Sequence, residues 1–190
     1  MSADLSPGFG DPVADAQSCF RAVLDAMARP GQVHAVGGVS APAPLCDAAG
    51  AVLLTLADQD TPLWLDPDAA AARGWIAFHT GAAVGPAAEA MFGVALALPD
   101  LGAFSKGSDE MPETSATLIV QVASLQTGRA FVLDGPGFRE PRVLTVDGLP
   151  GDFAAVWERN HALYPRGVDL ILCCGGELTA LPRSVAVREV

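Results

Sequence analysis

Three side chains between residues 58 and 79 could carry out acid–base chemistry. Asp58 and Asp60 follow an apolar run, and carboxylates two positions apart in an extended chain lie on the same side. His79 follows a predicted strand, and ligand sites often form at strand ends. Together they predict an acid–base pair or a clamp for a ligand. The alternative is structural: both aspartates hydrogen-bond the turn before Pro62, and His79 is a polar cap.

Two arginines are the further candidates for binding a ligand. Arg21 lies on a predicted helix beside Phe20, and Arg183 follows Pro182 at the end of a predicted hairpin. The forked donors of a guanidinium suit a phosphate or phosphonate. The alternative for both residues is a structural salt bridge to one of the many acidic side chains. Arg166 is interpreted as a solvated loop cation.

The cysteines and histidines predict no metal site and no catalytic residue. No two of the four cysteines have C-x-x-C spacing, so they are interpreted as free thiols of a reducing compartment, with one of the neighbours Cys173 and Cys174 in the core and the other exposed. A nucleophilic cysteine would need a nearby base, and the sequence offers none. None of the three histidines has a second ligand at zinc spacing. The P-loop, the dinucleotide fingerprint and the nucleophile elbow are absent from the sequence.

Charge and composition exclude some partners and suggest others. The formal net charge is -11, which disfavours nucleic acid and anionic membrane surfaces. Hydrophobic residues make up 51% of the 190 residues and charged residues only 17%, which indicates either a buried subunit interface or an alanine-rich coding bias. No signal peptide or membrane-length apolar run is found, so the predicted location is the cytoplasm.

Local signals predict the elements that must position these side chains. Asp11-Pro12 begins a helix that ends at 29–31, and its predicted core face consists of Ala16, Phe20, Val23, Leu24 and Met27. Further helices are predicted over 45–57 and 151–161. Strands are predicted over 32–36, 63–65, 75–78, 91–96 and 142–146, hairpins over 117–133 and 168–181, and a last strand over 184–187. Residues 1–10 are predicted to be a flexible arm and 11–190 a single α/β domain with a mixed sheet.

Several stretches, in order along the chain, resemble the PhnH family, the H subunit of the bacterial carbon–phosphorus lyase system. No single motif among them is diagnostic, but the ordered set spans residues 15 to 183. The stretches are DAQ at 15–17 with Phe20-Arg21, LLTLAD at 53–58 with DTP at 60–62, FHT at 78–80, ATLIVQVASL at 116–125, and GVDLIL at 167–172 with LPR at 181–183.

The resemblance implies a role in phosphonate catabolism. Members of the family, with the G, I and L subunits, support transfer of ribose triphosphate from ATP to an alkylphosphonate, with release of adenine. The implied fold is a three-layer α/β/α sandwich like that of pyridoxal-phosphate-dependent transferases. The implied partners are a second copy in a homodimer and the G, I and J subunits of a larger complex. The resemblance supplies no catalytic residue.

The lysine content bears on the cofactor that this implied fold usually carries. A pyridoxal phosphate enzyme forms a Schiff base with a lysine, and Lys106 is the only lysine in the chain. It lies in a loop flanked by glycine and serine, which is typical of a surface position. The sequence therefore predicts the fold without the cofactor.

Three functional hypotheses remain open from the sequence. The first is a subunit that completes a site in the phosphonate machinery and is inactive alone, with a phosphonate or nucleotide as its possible ligand. The second is a stand-alone enzyme that uses Asp58, Asp60 and His79. The third is a purely structural interaction module, for which no ligand would change the melting temperature.

Overall fold

A six-stranded mixed sheet forms the centre of the chain. The structure is a computed structural model that describes residues 6–190. Four strands of the sheet are parallel, and two strands at one side are antiparallel to their neighbours. In spatial order the strands are β1 (His34–Ala35), β8 (Glu177–Leu181), β7 (Asp169–Cys174), β4 (Thr117–Gln121), β3 (Phe92–Ala95) and β2 (Leu63–Leu65). The predicted α/β class and the mixed sheet are confirmed.

Secondary structure covers both faces of this sheet. One face carries the helices α1 (Pro12–Ala28), α2 (Asp47–Leu56) and α3 (Arg73–Thr80). The other face carries α4 (Phe153–His161) and a three-stranded antiparallel sheet of β6 (Arg142–Asp147), β5 (Ser124–Asp134) and β9 (Ala186–Glu189). Short 3₁₀ segments occupy Pro67–Ala72, Ala87–Glu89, Leu101–Ala103 and Pro112–Thr114.

Alternating side chains of the central strands form two hydrophobic clusters. Ile119 and Ile171 pack with the first three helices, whereas Leu118 and Leu170 pack with α4 and the small sheet. Successive residues of a strand point to opposite faces, so a run that is apolar at every position fills both clusters. This packing explains why residues 118–120 are completely buried.

The helix α1 begins and ends where local signals predict. The side chain of Asp11 accepts hydrogen bonds from the backbone N–H groups of Val13 and Ala14, and Pro12 is the first helical residue. The predicted core face is wrong in part, because Phe20 and Leu24 are about half exposed, at 46% and 52%. The buried residues are Val23, which is part of the predicted face, and Cys19 and Ala26, which are not. Their small size lets the helix lie close to α2 and β8.

Two strand predictions are wrong. Residues 75–78 belong to α3, whose end is set by Gly81 at a φ of 71°, a left-handed conformation typical of a helix C-terminus. The predicted hairpin over 117–133 is also wrong: β4 pairs with β3 and β7 in the large sheet, and β5 pairs with β6 and β9 in the small sheet. The predicted hairpin of β7 and β8 is confirmed.

The first described residues contact the folded chain. The backbone N–H of Gly10 donates to the carbonyl of Gly38, and Phe9 packs against the cluster formed by the first three helices. Residues 1–5 of the predicted arm lie outside the described residues, and the division into arm and domain stays a prediction. Within 6–190, no helix combines the length and hydrophobicity needed to cross a bilayer.

Candidate functional site

His79 lies near the end of α3, with its ring between aromatic neighbours and the chain near residue 6. Its ring centroid is 4.9 Å from that of Trp75 and 4.9 Å from that of Phe78. Nε2 of His79 is 2.9 Å from the carbonyl oxygen of Ser6, to which the indole N–H of Trp75 also donates at 3.0 Å. A carbonyl only accepts, so the proton of the neutral imidazole lies on Nε2 and Nδ1 is an acceptor.

A cavity of about 320 Å³ opens beside the imidazole of His79. It lies between the start of α1 and α2, and its other lining residues are small or apolar: Gly8, Phe9, Pro12, Ala16 and Leu54. A Cβ placed on Gly8 would lie 3.2 Å from Nδ1 of His79, so the glycine keeps the backbone close to this nitrogen. The cavity therefore places a ring nitrogen that can accept a hydrogen bond among small and apolar side chains.

Asp58 takes part in the turn that joins α2 to β2. Its carboxylate accepts from the backbone N–H of Asp60 at 2.9 Å. Its own backbone N–H donates to the hydroxyl oxygen of Thr61 at 2.6 Å, and that hydroxyl donates to the Asp58 carbonyl at 2.8 Å. Both aspartates are exposed. These hydrogen bonds favour the structural alternative for Asp58. The carboxylate of Asp60 makes no ion pair with any described residue.

Arg183 forms a nearly buried ion pair with Asp169 at the start of β7. Its Nη2 and Nε donate to the two carboxylate oxygens at 2.7 and 3.2 Å, and its backbone N–H donates at 2.7 Å. Its Nη1 donates to the carbonyl of Pro112 at 2.7 Å. The side chains of Arg183 and Asp169 are only 16% and 14% exposed. The pair joins β7, the residues after β8 and the 112 loop, which favours the structural alternative.

The structure does not gather the five candidate residues at one place. Asp58 and Asp60 precede β2 at the outer edge of the sheet, whereas Arg183 contacts β7. Three strand spacings separate β2 from β7, or about 14 Å. Arg21 is exposed on α1 and has no ion-pair partner among residues 6–190. Only His79 of the five lines the 320 Å³ cavity.

Burial favours the protonated form of three of the four thiols. Burial raises the pKa of Cys19, Cys46 and, most strongly, Cys173. For Cys46 the burial outweighs the opposing hydrogen bonds from the backbone N–H groups at the start of α2. Cys174 is half-buried and its thiol donates to the carbonyl of Ala123 at 3.3 Å. Across residues 6–190, no three His, Cys, Asp or Glu side chains are grouped so that they could hold a metal ion.

A larger cavity contains arginines that the sequence did not single out. It has a volume of about 660 Å³ and lies where the end of α1 meets the loop between β5 and β6. Its lining includes Arg29, Arg139 and Arg142. No local pattern in the sequence points to this group, because 113 positions separate Arg29 from Arg142.

A family model and one relative match almost the whole chain, and a second relative matches less than half of it. The family model described as "Bacterial phosphonate metabolism protein (PhnH)" matches residues 7–188. The alpha-D-ribose 1-methylphosphonate 5-triphosphate synthase subunit PhnH of Rhizobium meliloti (strain 1021) is 42% identical over 196 residues, which cover 100% of this chain and 98% of the relative. The putative C-P lyase subunit protein HtxG of Stutzerimonas stutzeri is 41% identical over 83 residues, 43% of this chain and 42% of that protein.

Proposed function

Since the chain belongs to the PhnH family of bacterial phosphonate metabolism proteins, we propose that it is a subunit of the carbon–phosphorus lyase system. In this role it supports transfer of ribose triphosphate from ATP to an alkylphosphonate. The observation that carries the proposal is the 42% identity to a synthase subunit over the full length of both chains. The chain is inactive alone in this proposal, because its candidate side chains do not converge on one reacting centre.

The proposal assigns the contact with a small ligand to His79. Small and apolar side chains line the cavity beside it, and Nδ1 is a hydrogen-bond acceptor, while the bond from Nε2 to the Ser6 carbonyl fixes the ring. A ring that is already oriented loses little entropy when a ligand donates to it. Arg21 and Asp60 are exposed without ion-pair partners among the described residues, so they remain available to a partner or a ligand.

The proposed fold is a three-layer relative of the pyridoxal-phosphate-dependent transferases. Helices on one face of a mixed sheet, with α4 and a small sheet on the other, support this relation. The residues present do not fit the cofactor. Lys106 is the only lysine, and its ammonium group donates to the carbonyls of Gly102 and Phe104 at 3.0 and 3.3 Å. A Schiff base with this lysine is therefore not part of the proposed function.

The proposed partners are a second copy of the chain and the G, I, J and L subunits. Exposed apolar side chains on the outer side of α1 support an interaction role, namely Val13, Phe20 and Leu24. Surfaces of this kind bury apolar area against a partner and gain free energy in proportion to that area. A cytoplasmic location belongs to the same proposal.

Growth on methylphosphonate as the only phosphorus source tests the proposed function. A host whose own H-subunit gene is deleted should regain growth when it expresses this chain with its neighbouring phosphonate genes. Expression of the same genes without this chain is the control and should leave the host unable to grow. Equal growth with and without the chain would contradict the proposal.

A further inference from the structure

A groove rich in arginine lies on a protein that is otherwise strongly acidic. The 660 Å³ cavity is formed by Arg29 and Pro30 after α1 and by residues 137–143, which connect β5 to β6 and begin β6. Three of the chain's 11 cationic side chains line it, although the formal net charge of the whole chain is -11. Glu140 is the one carboxylate among the lining residues. The groove is thus locally cationic.

These arginines are only weakly neutralised by the chain itself. Arg139 and Arg142 form no ion pair with any residue in 6–190. Arg29 pairs with Asp25 at 2.6 Å, but both side chains are more than half exposed. Exposed pairs of this kind contribute little and exchange readily for a better acceptor. The guanidinium groups therefore remain available to an external anion.

The position of Arg142 is set by the backbone. Its Nη1 donates to the carbonyls of Arg29 and Pro30 at 3.3 and 3.1 Å. Gly31 has a φ of +79°, and a Cβ on it would lie 3.3 Å from Cδ of Arg142 and 2.7 Å from Leu133. The positive φ and the close approach of Leu133 require a glycine at this position, and the arginine stem passes beside it. Both carbonyl bonds use Nη1, so Nη2 and Nε keep their donors for a ligand.

We infer that this groove binds the triphosphate moiety of a nucleotide or sugar triphosphate. Guanidinium forks match pairs of phosphate oxygens, and three of them in one groove suit a chain of phosphates better than a single one. The volume of about 660 Å³ also exceeds what one phosphate needs. The inference deepens the proposed function and rests on it only for ATP as the physiological source of the triphosphate.

A purely structural role for Arg142 is the competing explanation, since it binds carbonyls at the end of α1. Arg139 separates the two explanations. It is exposed and makes no hydrogen bond or ion pair within the described chain that would support the fold. Arg139→Gln should therefore weaken anion binding while leaving the unfolding midpoint unchanged.

Calorimetric titration of the purified full-length chain with inorganic tripolyphosphate tests the inference. At low salt we expect saturable binding, tighter than that of inorganic phosphate, and a weakening of about tenfold in Arg139→Gln and in Arg29→Gln, as loss of a charge-assisted contact predicts. Arg73→Gln, an exposed arginine on α3 outside the groove, is the matched control and should bind as the unmodified chain does. Absence of binding, or equal binding by all variants, would overturn the inference.

Two further titrations identify the moiety that is recognised. ATP should compete with tripolyphosphate, whereas AMP should not, because AMP lacks the extended phosphate chain. Competition by AMP as strong as that by ATP would overturn the assignment to a triphosphate. The result is independent of the growth assay: a chain that binds tripolyphosphate without restoring growth contradicts the proposed function alone, and one that restores growth without binding contradicts this inference alone.

Discussion

The Arg183–Asp169 ion pair gives a direct test of whether Arg183 is structural or binds a ligand. Replacing Arg183 with methionine keeps most of the apolar stem and removes three contacts: Nη2 and Nε to Asp169, and Nη1 to the Pro112 carbonyl. The backbone N–H at position 183 still donates to the carboxylate. The carboxylate of Asp169, 14% exposed, then lacks its charged partner.

The expected loss in free energy of unfolding is about 3 kcal/mol. Removing one partner of a buried pair costs roughly 3–5 kcal/mol, and the low end applies because water and the remaining N–H partly solvate Asp169. For a chain of this length the change corresponds to a fall in Tm of about 6–12 °C. In the double variant with Asp169→Leu the cost should be smaller than the sum of the two single costs, because no charge is left unpaired.

Urea unfolding followed by tryptophan fluorescence measures these costs. Arg166→Met is the matched control, because it breaks an Arg–Asp pair whose side chains are 44% and 78% exposed. Exposed pairs contribute about 0.2–1 kcal/mol, so this variant should unfold almost as the unmodified chain does. Equal stabilities of the two arginine variants would refute the reasoning. An Arg183→Met chain of unchanged stability that fails to restore growth would instead assign Arg183 to a ligand.

Other perturbations test the cavity, the thiols and the helix cap. His79→Phe keeps a ring beside Trp75 and removes both nitrogens, so it should fold yet restore growth poorly; full growth would contradict the ligand role. Burial raises the pKa of Cys173, so as the pH rises this thiol ionises in the unfolded chain before it ionises in the folded one. The free energy of unfolding should therefore fall above about pH 9, by up to about 1.4 kcal/mol per pH unit. In urea unfolding at alkaline pH, Cys173→Ala should show a shallower fall, and an identical slope would contradict this. Asp11→Ala removes the N-cap of α1 and should lower the free energy of unfolding by about 1 kcal/mol. Asp68→Ala, in a 3₁₀ segment, should lower it by less in the same urea assay.

The boundaries of α1 were predictable because their signals are local. Asp11 and Pro12 at its start and Pro30 at its end act through neighbouring residues alone. The face of the helix that packs against the rest of the chain was not predictable in the same way. Phe20 and Leu24 are apolar but exposed, because the side of α1 that contacts the neighbouring helix and strand carries small residues. Which side of a helix meets the sheet depends on contacts that no local pattern contains.

Strand partners were predicted less well than the strands themselves. Residues 118–120 are apolar at every position, which is typical of a parallel strand buried on both faces rather than of a hairpin. The glycine at 128 favoured a turn, but it lies within β5 at a φ of +108°. Residues 75–78 form a short apolar run, and such a run is compatible with a strand or a helix. The structure shows a helix, which ends at Gly81 in the left-handed conformation.

The candidate site depends on contacts between distant parts of the sequence. The bond from His79 to Ser6 spans 73 positions, so the cavity beside the imidazole could not be predicted from spacing. The arginine groove forms in the same way, from the end of α1 and a loop more than a hundred residues later. Family resemblance predicted the function, because it is carried by the whole ordered sequence rather than by one reactive group.

Release of adenine from ATP in the presence of methylphosphonate tests the central claim most directly. The purified chain should release none alone, and the combined G, I and L subunits should release adenine only when this chain is added. Adenine release by the isolated chain at the rate of the complete mixture would contradict the claim that it is a supporting subunit. So would an unchanged rate when the chain is left out of that mixture.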